Sequence, residues 1–575
     1  MKKKCKSIKG LLGGLIILLG IMNGQTILAQ QINITGKVTL DQTNEALAGA
    51  AVSEKGTSNG VLTDAGGSFS LQVKDANSIL VFSFVGMEAK EVVVGGQKVI
   101  NVSMKESLSV LDEVIVTGYQ TQRRADLTGS VSVANIGEAK DIPTSNILKA
   151  VQGKVAGLYV TSDGSPNQTT TVNVRGVNTL GNTNPLYIID GTPTTDARLF
   201  QSLDPSTIES FQILKDASAA SIYGSRASNG VIIVTTKSGK GGFRVDFKTS
   251  LTVQEHKRKY DLQNTDEYGK MLWRAGVNDG IDPNLNPFYI YTWHMEGDVP
   301  ILDDMQTKEF INNDPLLPVS DTDWPNEVFK TGIISSSTLS ISGGTDRSST
   351  LVDVSYYSNK GMVLETAFKQ LSLRLNNSIN FLDKKIKIGE NFQLLGSQEV
   401  PSPKDNAANI YHIGNYIPPV LPVYKTDGTW AGPSGAGFSD RANPVQMAEV
   451  CQYNRNNNSR VFGNLFAEIT PIKNLVFKTS FGLEAGLYAQ KVISPLWQSG
   501  FVTGGDVNKL DLMDTKTLNW TWTNTLNYQL TKGKSRAMFL IGTEAISNSS
   551  TYNSVHKEGF AINDDPAFYY VSAGT

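Results

Sequence analysis

The feature that most restricts the fold is a period-two alternation of apolar and polar residues that recurs after residue 243. Three segments show it clearly, at 244–253, 371–381 and 518–530. In the second of these, leucine and isoleucine alternate with serine, arginine and asparagine. This period predicts β-strands with one apolar and one polar face. Weaker copies lie near 337–343, 350–357, 386–394, 461–469, 476–483 and 537–543.

Two arrangements accommodate such strands. One is a wall with lipid on its apolar side and water on its polar side, and the other is a soluble sheet with one face on a core. The wall with lipid on one side is favoured because the length of the clear segments is close to that of a tilted spanning strand, about 9–11 residues. The segments 254–335 and 396–458 are long and polar, without a second hydrophobic face. We therefore predict that 243–575 belongs to a transmembrane β-barrel with long outer loops and short inner turns.

The number of strands predicts an incomplete barrel. Three clear and six weaker segments make roughly nine strands, whereas large barrels of outer membranes with a filled lumen use about 22. The chain ends at Thr575 in a loop-like stretch, without a final strand that closes on an aromatic residue. An open sheet in lipid would leave backbone groups unpaired. The sequence is thus expected to be a fragment or a truncated product that forms no working pore alone.

Residues 1–29 have the layout of a secretory signal peptide. A lysine-rich start precedes an apolar run at 11–22, and cleavage is expected after Ala29. A membrane anchor is the alternative, but the run is shorter than the ~20 residues of a spanning helix. Cleavage removes Cys5 and leaves Cys451, so no intramolecular disulfide is expected.

Residues 31–104 predict a small β-sandwich, because short strand-like runs recur between turns that contain glycine and aspartate. Residues 125–240 mix apolar strands with short helices and predict an α/β domain. We expect one helix at 145–151, capped by Ser145, and another at 216–223, ended by Gly224. The expected fold class is mainly β: a small β-sandwich, a mixed α/β domain and an incomplete antiparallel transmembrane β-barrel.

A linker at 111–124 joins the two globular regions. Val114, Ile115 and Val116 form a β-branched run beside Asp112 and Glu113, and a polar, basic stretch follows. A segment of this kind can stay extended and add itself to the sheet edge of a partner. An ordinary linker strand that packs on its own domain explains the composition equally well.

Two regions resemble known families. The front region resembles the carboxypeptidase-regulatory-like domain, without peptidase residues, through GKV at 36–38, GVLTD at 60–64, GSFSL at 67–71 and FSFVG at 82–86. The α/β region resembles the plug of the SusC/RagA family of TonB-linked outer-membrane proteins. Its motifs are NVRG at 173–176, PLYIIDG at 185–191, LDP at 203–205, IESF at 208–211, LKDASAA at 214–220 and IYGSRASNGVII at 222–233.

This resemblance implies functional residues. It places a TonB box in the linker, at Asp112, Glu113, Val114, Ile115, Val116, Thr117 and Gly118. The residues of the plug signature are Asn173, Arg175, Gly176, Asp190, Gly191, Lys215, Asp216, Tyr223, Gly224, Arg226, Asn229 and Gly230. The family thus favours the partner-binding interpretation of the linker.

The family also implies active import across the outer membrane. Its partners would be TonB of the inner-membrane energising complex, a SusD-like surface lipoprotein and outer-membrane lipid, and its substrates oligosaccharides or peptides. Two alternatives are a siderophore or vitamin receptor of the same fold and a surface adhesin, which needs no TonB box.

Sites for other chemistry are not expected. His256, His294, His412 and His556 lack metal-like spacing. The sequence has neither a Walker-type phosphate loop nor a Gly-x-Ser-x-Gly motif. The net charge of −2 indicates no basic surface for nucleic acid. We expect no enzyme activity, no cofactor, no metal ion and no nucleic-acid partner.

Overall fold

The computed structural model describes residues 32–41, 45–57, 59–84, 87–105, 114–117, 120–123, 131–134, 142, 144–216, 220–257, 260–405, 408–410, 414–435, 437–438, 440–533 and 535–574. The predicted signal peptide lies outside these ranges, as do Asp112, Glu113 and Gly118 of the linker. Contacts divide the chain into a front unit, Met1–Ile115 with Gln122–Asp126, and a second unit, Val116–Thr121 with Leu127–Thr575.

The front unit contains two sheets around one apolar core. Their strands are β1 Ile32–Leu40, β2 Ala51–Glu54, β3 Gly60–Leu62, β4 Ser68–Val73, β5 Ile79–Ser83, β6 Lys90–Val93 and β7 Val102–Met104. The orders are β4-β1-β7 and β3-β2-β5-β6. Both sheets contribute to the core, where the rings of Phe69 and Phe82 meet edge to face with centroids 5.4 Å apart. This is the β-sandwich that the short alternating runs predict.

The linker and the predicted plug contain the next strands and helices. The strands are β8 Val114–Thr117, β9 Gln120–Arg123, β10 Val131–Ala134, β11 Leu158–Ser162, β12 Thr170–Val174, β13 Leu186–Ile189, β14 Thr192–Thr194, β15 Ile208–Leu214 and β16 Val231–Thr236. The helices are α1 Ile147–Ala150 and α2 Ala197–Gln201, with 3-10 turns at Pro205–Thr207 and Ser221–Ala227. Five strands form one sheet in the order β10-β15-β16-β13-β14, and β11 pairs with β12.

The central strands of the plug are buried on both faces, as their continuous apolar runs predict. In β13, Tyr187 and Ile189 face a core that includes both plug helices. Leu186 and Ile188 face a second core, formed with Tyr223 and its neighbours. The plug therefore consists of a sheet between two apolar layers.

The structure corrects the cap of the first predicted helix and shows 3-10 turns in the second segment. Asn146, not Ser145, caps α1, because its Oδ1 accepts from the N–H of Leu148 at 3.0 Å. In the second segment, the N–H of Ala220 donates to the carbonyl of Asp216 at 3.0 Å. Residues 221–227 form 3-10 turns that are separated by a kink at Gly224, where φ is 64° and ψ is −149°. Gly224 thus takes a non-helical backbone conformation that favours glycine, and it ends the first of these turns as predicted.

The second half of the chain is dominated by long strands. They are β17 Arg244–Gln254, β18 Tyr289–Glu296, β19 Val299–Thr307, β20 Gly332–Gly344, β21 Ser348–Lys360, β22 Ala367–Phe381, β23 Ile386–Val400, β24 Lys404–Asp405, β25 Ala408–Asn409, β26 Arg455–Ile472, β27 Leu475–Ser494, β28 Gln498–Ser499, β29 Val502–Thr503, β30 Lys509–Lys532 and β31 Ser535–Glu558. The helices are α3 Thr265–Asn278, α4 Trp324–Val328 and α5 Pro444–Cys451, with 3-10 turns at Pro283–Leu285, Ile311–Asn313 and Pro566–Phe568.

Nine of these strands form one antiparallel sheet, the wall, in the order β17-β20-β21-β22-β23-β26-β27-β30-β31. Each predicted alternating segment lies in one of them, which confirms the expected up-and-down arrangement. At one end of the wall the connections are short, at 345–347, 382–385, 473–474 and 533–534. The other end carries the long connections, and we call it the long-loop end. This asymmetry is typical of outer-membrane barrels.

The two faces of the wall reverse the usual distribution of polarity. On the outer face, the side chains of Phe247 and Leu251 are 69% and 72% exposed. On the face towards the plug, Arg374 and Asn464 are only 3% and 2% exposed. Apolar side chains outside and buried polar side chains inside are expected when the outer solvent is lipid. In the described part of the chain, no helix is long and apolar enough to cross a membrane.

The long connections differ from the prediction, since together they bury a hydrophobic core of their own. Trp273, Tyr289 and Trp324 from 255–331 pack with Ile417 and Leu421 from 401–454. The indole N–H of Trp324 donates to the carbonyl of Pro418 at 3.1 Å and ties the two segments together. The prediction missed this core because each segment supplies only part of it, so neither shows a continuous apolar face.

Candidate functional site

The predicted TonB box is described only in part. Residues 114–117 are the strand β8, which pairs with β9 in a two-stranded sheet. The backbone here is therefore extended, the form that addition to a partner's sheet requires. The assignment of these residues as a TonB box stays a prediction.

Several residues of the plug signature form turns. Asp190 and Gly191 make the two-residue connection between β13 and β14, and their φ angles are 49° and 84°. Positive φ at both positions is that of a type I′ turn, which favours Asp-Gly. Asn229 and Gly230 precede β16, where the Asn229 side chain donates to the carbonyls of Asn182 and Asn184. A β-carbon on Gly230 would lie 3.0 Å from Val174, so glycine also permits close packing there.

A second group of signature residues forms a charged cluster within the plug. Asn173 lies on β12, and Arg175 and Gly176 follow it with φ of 58° and 97°. The guanidinium of Arg175 forms an ion pair with Asp216. Burial and the positive charge of Arg175 both lower the pKa of the neighbouring Lys215. This cluster holds the ends of β12 and β15 together.

The last signature segment reaches the wall. Tyr223 packs in the second plug core. Arg226, three residues further along the chain, forms an ion pair with Glu544 on β31. Asp190 also reaches the wall. The signature residues therefore do not converge on one pocket; some shape the plug and others join it to the wall.

Asp190 makes the most buried of these contacts. One carboxylate oxygen accepts from the backbone N–H of Thr236 and the other from its hydroxyl, both at 2.8 Å. The second oxygen also lies 3.3 Å from Nη1 of Arg374 on β22. The side chains of Asp190 and Arg374 are 9% and 4% exposed. Asp190 thus links two plug strands and one wall strand through a buried ion pair.

Amide side chains of the wall complete this contact. Nδ2 of Asn464 on β26 donates to the carbonyl of Asp190 and to the hydroxyl of Thr192, each at 2.8 Å. Nδ2 of Asn376 on β22 donates to the hydroxyl of Thr236 at 2.8 Å. Hydrogen bonds from β26 consequently hold the β13–β14 hairpin, and a hydrogen bond from β22 holds the end of β16.

A second buried ion cluster follows six residues later in the chain. Nη1 of Arg460 on β26 lies 2.6 Å from Asp196 of the plug and 2.9 Å from Glu484 on β27. Glu484 also accepts from the hydroxyl of Thr194 at 3.2 Å. Asp196 caps α2 through the N–H of Arg198 at 2.8 Å. Burial would raise the pKa of Asp196, but Arg460 and Arg198 outweigh it, so this pKa lies below its usual value.

The segment 186–196 therefore contacts β22 and β26 through two ion pairs, and it contacts β27 through the hydrogen bond from Thr194 to Glu484. Removing one partner of a buried pair costs about 3–5 kcal/mol, because the remaining charge is left without compensation. These contacts fix the plug against the polar face of the wall. They also identify the residues that must separate if the plug is to move.

Polar clefts open between plug and wall on the side towards the long-loop end. One cleft, of about 210 Å³, is bounded by Arg198 and Gln201 of the plug and by Asn456 and Tyr488 of the wall, among others. The guanidinium of Arg198 lies 5.0 Å from the centre of the Tyr488 ring. Amide groups can donate and accept at once, and an aromatic ring adds an apolar surface. The cleft could therefore bind a neutral polar molecule.

A row of hydrogen bonds arranges this part of the wall. Nδ2 of Asn456 donates to Glu399, and Nε2 of Gln490 donates to Oδ1 of Asn456, both at 3.0 Å. The three residues lie on the adjacent strands β23, β26 and β27. Among the described residues, no group of three or more histidine, cysteine, aspartate or glutamate side chains could hold a metal ion.

The wall residues that hold the plug do not stand out in the sequence. Arg374 and Asn376 lie in a polar row, and nothing in the local pattern distinguishes Arg460, Asn464 or Glu484. A usable signal was present, because a charged side chain on the inner face of a membrane strand must find a partner. What the sequence could not give was the identity of the partner, which lies about 180 to 290 residues away in the chain.

Family models match two parts of the chain. Residues 34–116 match the CarboxypepD_reg-like domain, and residues 123–231 match the TonB-dependent receptor plug domain. The TonB-dependent receptor SusC of Bacteroides thetaiotaomicron is 32% identical over 446 residues, which cover 74% of this chain and 40% of SusC. TonB-dependent receptor P26 of Formosa agariphila is 28% identical over 537 residues, 92% of this chain and 50% of that protein.

The chain also resembles a solved structure. The RagAB peptide importer in its closed-closed state gives a TM-score of 0.62 at 25% identity, over 78% of this chain and 50% of that one. The chain spans about half the length of the curated relatives it matches. The receptors of this family are not enzymes, as the sequence predicts. The chain belongs to the SusC/RagA-like TonB-dependent receptors of the outer membrane, with a carboxypeptidase-regulatory-like domain ahead of its plug.

Proposed function

We propose that this chain supplies the plug and part of the barrel wall of a TonB-dependent importer for an oligosaccharide or a peptide. The observation that carries the proposal is the plug held by buried ion pairs on the polar face of a wall whose other face is apolar. A wall of this kind separates lipid from an aqueous lumen. A plug in that lumen prevents free diffusion, so passage requires that the plug moves.

The force that moves the plug would act on the linker. In the proposal, residues 112–118 bind TonB of the inner-membrane complex by adding a strand to its sheet. Tension would then reach β10, the edge of the plug sheet that is nearest to the linker in the chain. β10 pairs with β15 over only four residue pairs. The opposite edge, β13–β14, is fixed to the wall, so the force would separate β10 before it reaches the hairpin.

The substrate would enter from the long-loop end. The cleft beside Arg198 and Tyr488 lies on that side and offers amide and aromatic groups. A SusD-like lipoprotein is the proposed partner that covers this end. The structural resemblance to RagAB, a peptide importer, and the sequence resemblance to SusC support this class of assembly.

A matched pair of substitutions in the linker tests the proposal. Ile115→Pro removes a backbone N–H and should prevent strand addition, whereas Ile115→Val keeps the β-branched side chain. In the receptor in its native membrane, we expect Ile115→Pro to reduce uptake at least tenfold and Ile115→Val to leave it unchanged. Substrate binding to intact cells should be the same for both. Normal uptake by the proline variant, or by a receptor without residues 112–117, would contradict the mechanism.

A further inference from the structure

Each of the two wall arginines that hold the plug has an acidic neighbour in the wall itself. Arg374 on β22 pairs with Asp190 of the plug, and Asp353 on β21 lies directly opposite it in the sheet. Residues in this relation have β-carbons roughly 4.5–5.5 Å apart. Both side chains face the plug, and each residue as a whole is 3% exposed. Asp353 is therefore within side-chain reach of Arg374.

Arg374 does not use this neighbour as its hydrogen-bond partner in the structure. Its Nη1 lies 3.3 Å from Asp190, and its Nη2 donates to Gln393 at 2.8 Å. Within the described part of the chain, Oδ2 of Asp353 is buried and has no hydrogen-bond partner. Leaving a buried carboxylate oxygen unpaired is unfavourable, and such atoms are rare in folded proteins. An unused acceptor beside a guanidinium suggests a second state in which the two are joined.

The other arginine shows the same arrangement with the wall pair already formed. Arg460 contacts Asp196 of the plug and Glu484 of the wall at the same time. If the plug segment leaves, Arg460 keeps Glu484. Arg374, in contrast, would keep only the neutral partners Gln393 and Thr236 unless it turns to Asp353.

We propose that Asp353 and Glu484 are positioning residues that hold the wall arginines when the plug hairpin leaves the wall. This inference rests on the proposed function, because it assumes that the plug moves during import. In the closed state Arg374 binds Asp190, and on opening its guanidinium rotates to Asp353. No buried arginine is then left without a carboxylate, which lowers the free energy of the open state relative to a wall without Asp353.

The test measures opening of the hairpin directly. Amide hydrogen exchange of residues 186–194 is followed in the complete receptor in lipid nanodiscs, without TonB. Asp353→Asn keeps the shape but removes the charge, and we expect it to slow this exchange by about tenfold, because the open state loses its ion pair. Asp353→Glu, made separately in the original receptor, enlarges the side chain but keeps the charge. Its exchange rate should stay within about twofold of that of the original receptor.

Two controls separate charge from packing. Asp514→Asn changes an exposed wall carboxylate away from both arginines and should have no effect on the exchange. In an Arg374→Gln background, Asp353→Asn should also have no effect on the exchange, because the guanidinium that Asp353 would bind is absent. Unchanged or faster exchange in Asp353→Asn would overturn the proposal, and so would equal slowing by asparagine and glutamate. Because TonB is absent, a failure of the import mechanism would leave this result intact.

Discussion

The front sandwich and the wall use the same alternation of side chains with opposite results. In β4 of the sandwich, Phe69 and Leu71 are 5% and 3% exposed, and the polar residues between them face water. In β17 of the wall, Phe247 and Leu251 are more than two-thirds exposed. The period fixes which side chains share a face, but the surrounding solvent decides which face is the inside. The buried residue types follow, since the inner face of the wall buries the arginines Arg374 and Arg460, whereas the core of the sandwich buries the rings of Phe69 and Phe82.

The largest effect is expected from a charge placed in the sandwich core. Leu71→Asp would bury an unpaired carboxylate among Ile34, Phe69 and their neighbours. This should destabilise the front domain by more than about 4 kcal/mol, enough to unfold it. Thermal unfolding of residues 31–105 measures the effect, and Ser70→Asp, on the exposed face of the same strand, is the control. A folded Leu71→Asp domain would contradict the assigned core.

The next effect concerns the buried ion pairs of the wall. Arg374→Met removes the guanidinium and leaves the buried Asp190 without its cation, which should weaken the seating of the plug by about 3–5 kcal/mol. Protease cleavage of the plug in membrane vesicles should accelerate accordingly. Adding Asp190→Asn to Arg374→Met should recover part of the lost stability, because the buried carboxylate without a cation is then removed. If the plug of the Arg374→Met receptor is cleaved as slowly as that of the original receptor, the ion pair of Arg374 and Asp190 does not hold the plug.

A smaller effect should follow when a charge is placed on the outer face of the wall. Leu375 lies on this face near the middle of β22, opposite Phe392 of β23. Leu375→Arg should destabilise the folded receptor in lipid by about 2–4 kcal/mol. Leu375→Val should be nearly neutral. Denaturant unfolding in lipid vesicles distinguishes the two, and an equal stability would argue against contact with hydrocarbon.

The smallest effect is expected from removing the charge of Glu54, a buried carboxylate of the sandwich. It accepts from Ser78 at 2.6 Å and from Asn59 at 3.1 Å, and these hydrogen bonds lower its pKa. A lowered pKa stabilises the fold above the unfolded-state value, and the contribution disappears as the pH falls through the folded-state value. Glu54→Gln should therefore cost about 1–2 kcal/mol at pH 7 and almost nothing in strong acid. A difference that grows on acidification would contradict the assignment.

The comparison also explains what the sequence could predict. All nine wall strands were located, because lipid on one side keeps the alternation regular over many residues. Their ends are not predicted: β30 runs from Lys509 to Lys532, whereas alternation is clear only over 518–530, since Asp514 and Lys516 interrupt the apolar row before it. The core of the long connections and the plug–wall ion pairs escaped for another reason. Their partners are far apart in the chain, and local pattern carries no information about them.

The central claim is that the apolar face of the wall contacts hydrocarbon, and spin labels along one strand test it most directly. In a receptor whose Cys451 is replaced by serine, single labels are placed at each position from 371 to 376 in lipid vesicles. The account predicts that labels at 371, 373 and 375 are accessible to oxygen dissolved in the lipid, while those at 372, 374 and 376 are protected. Protection of all six, or accessibility at the even positions instead, would contradict it.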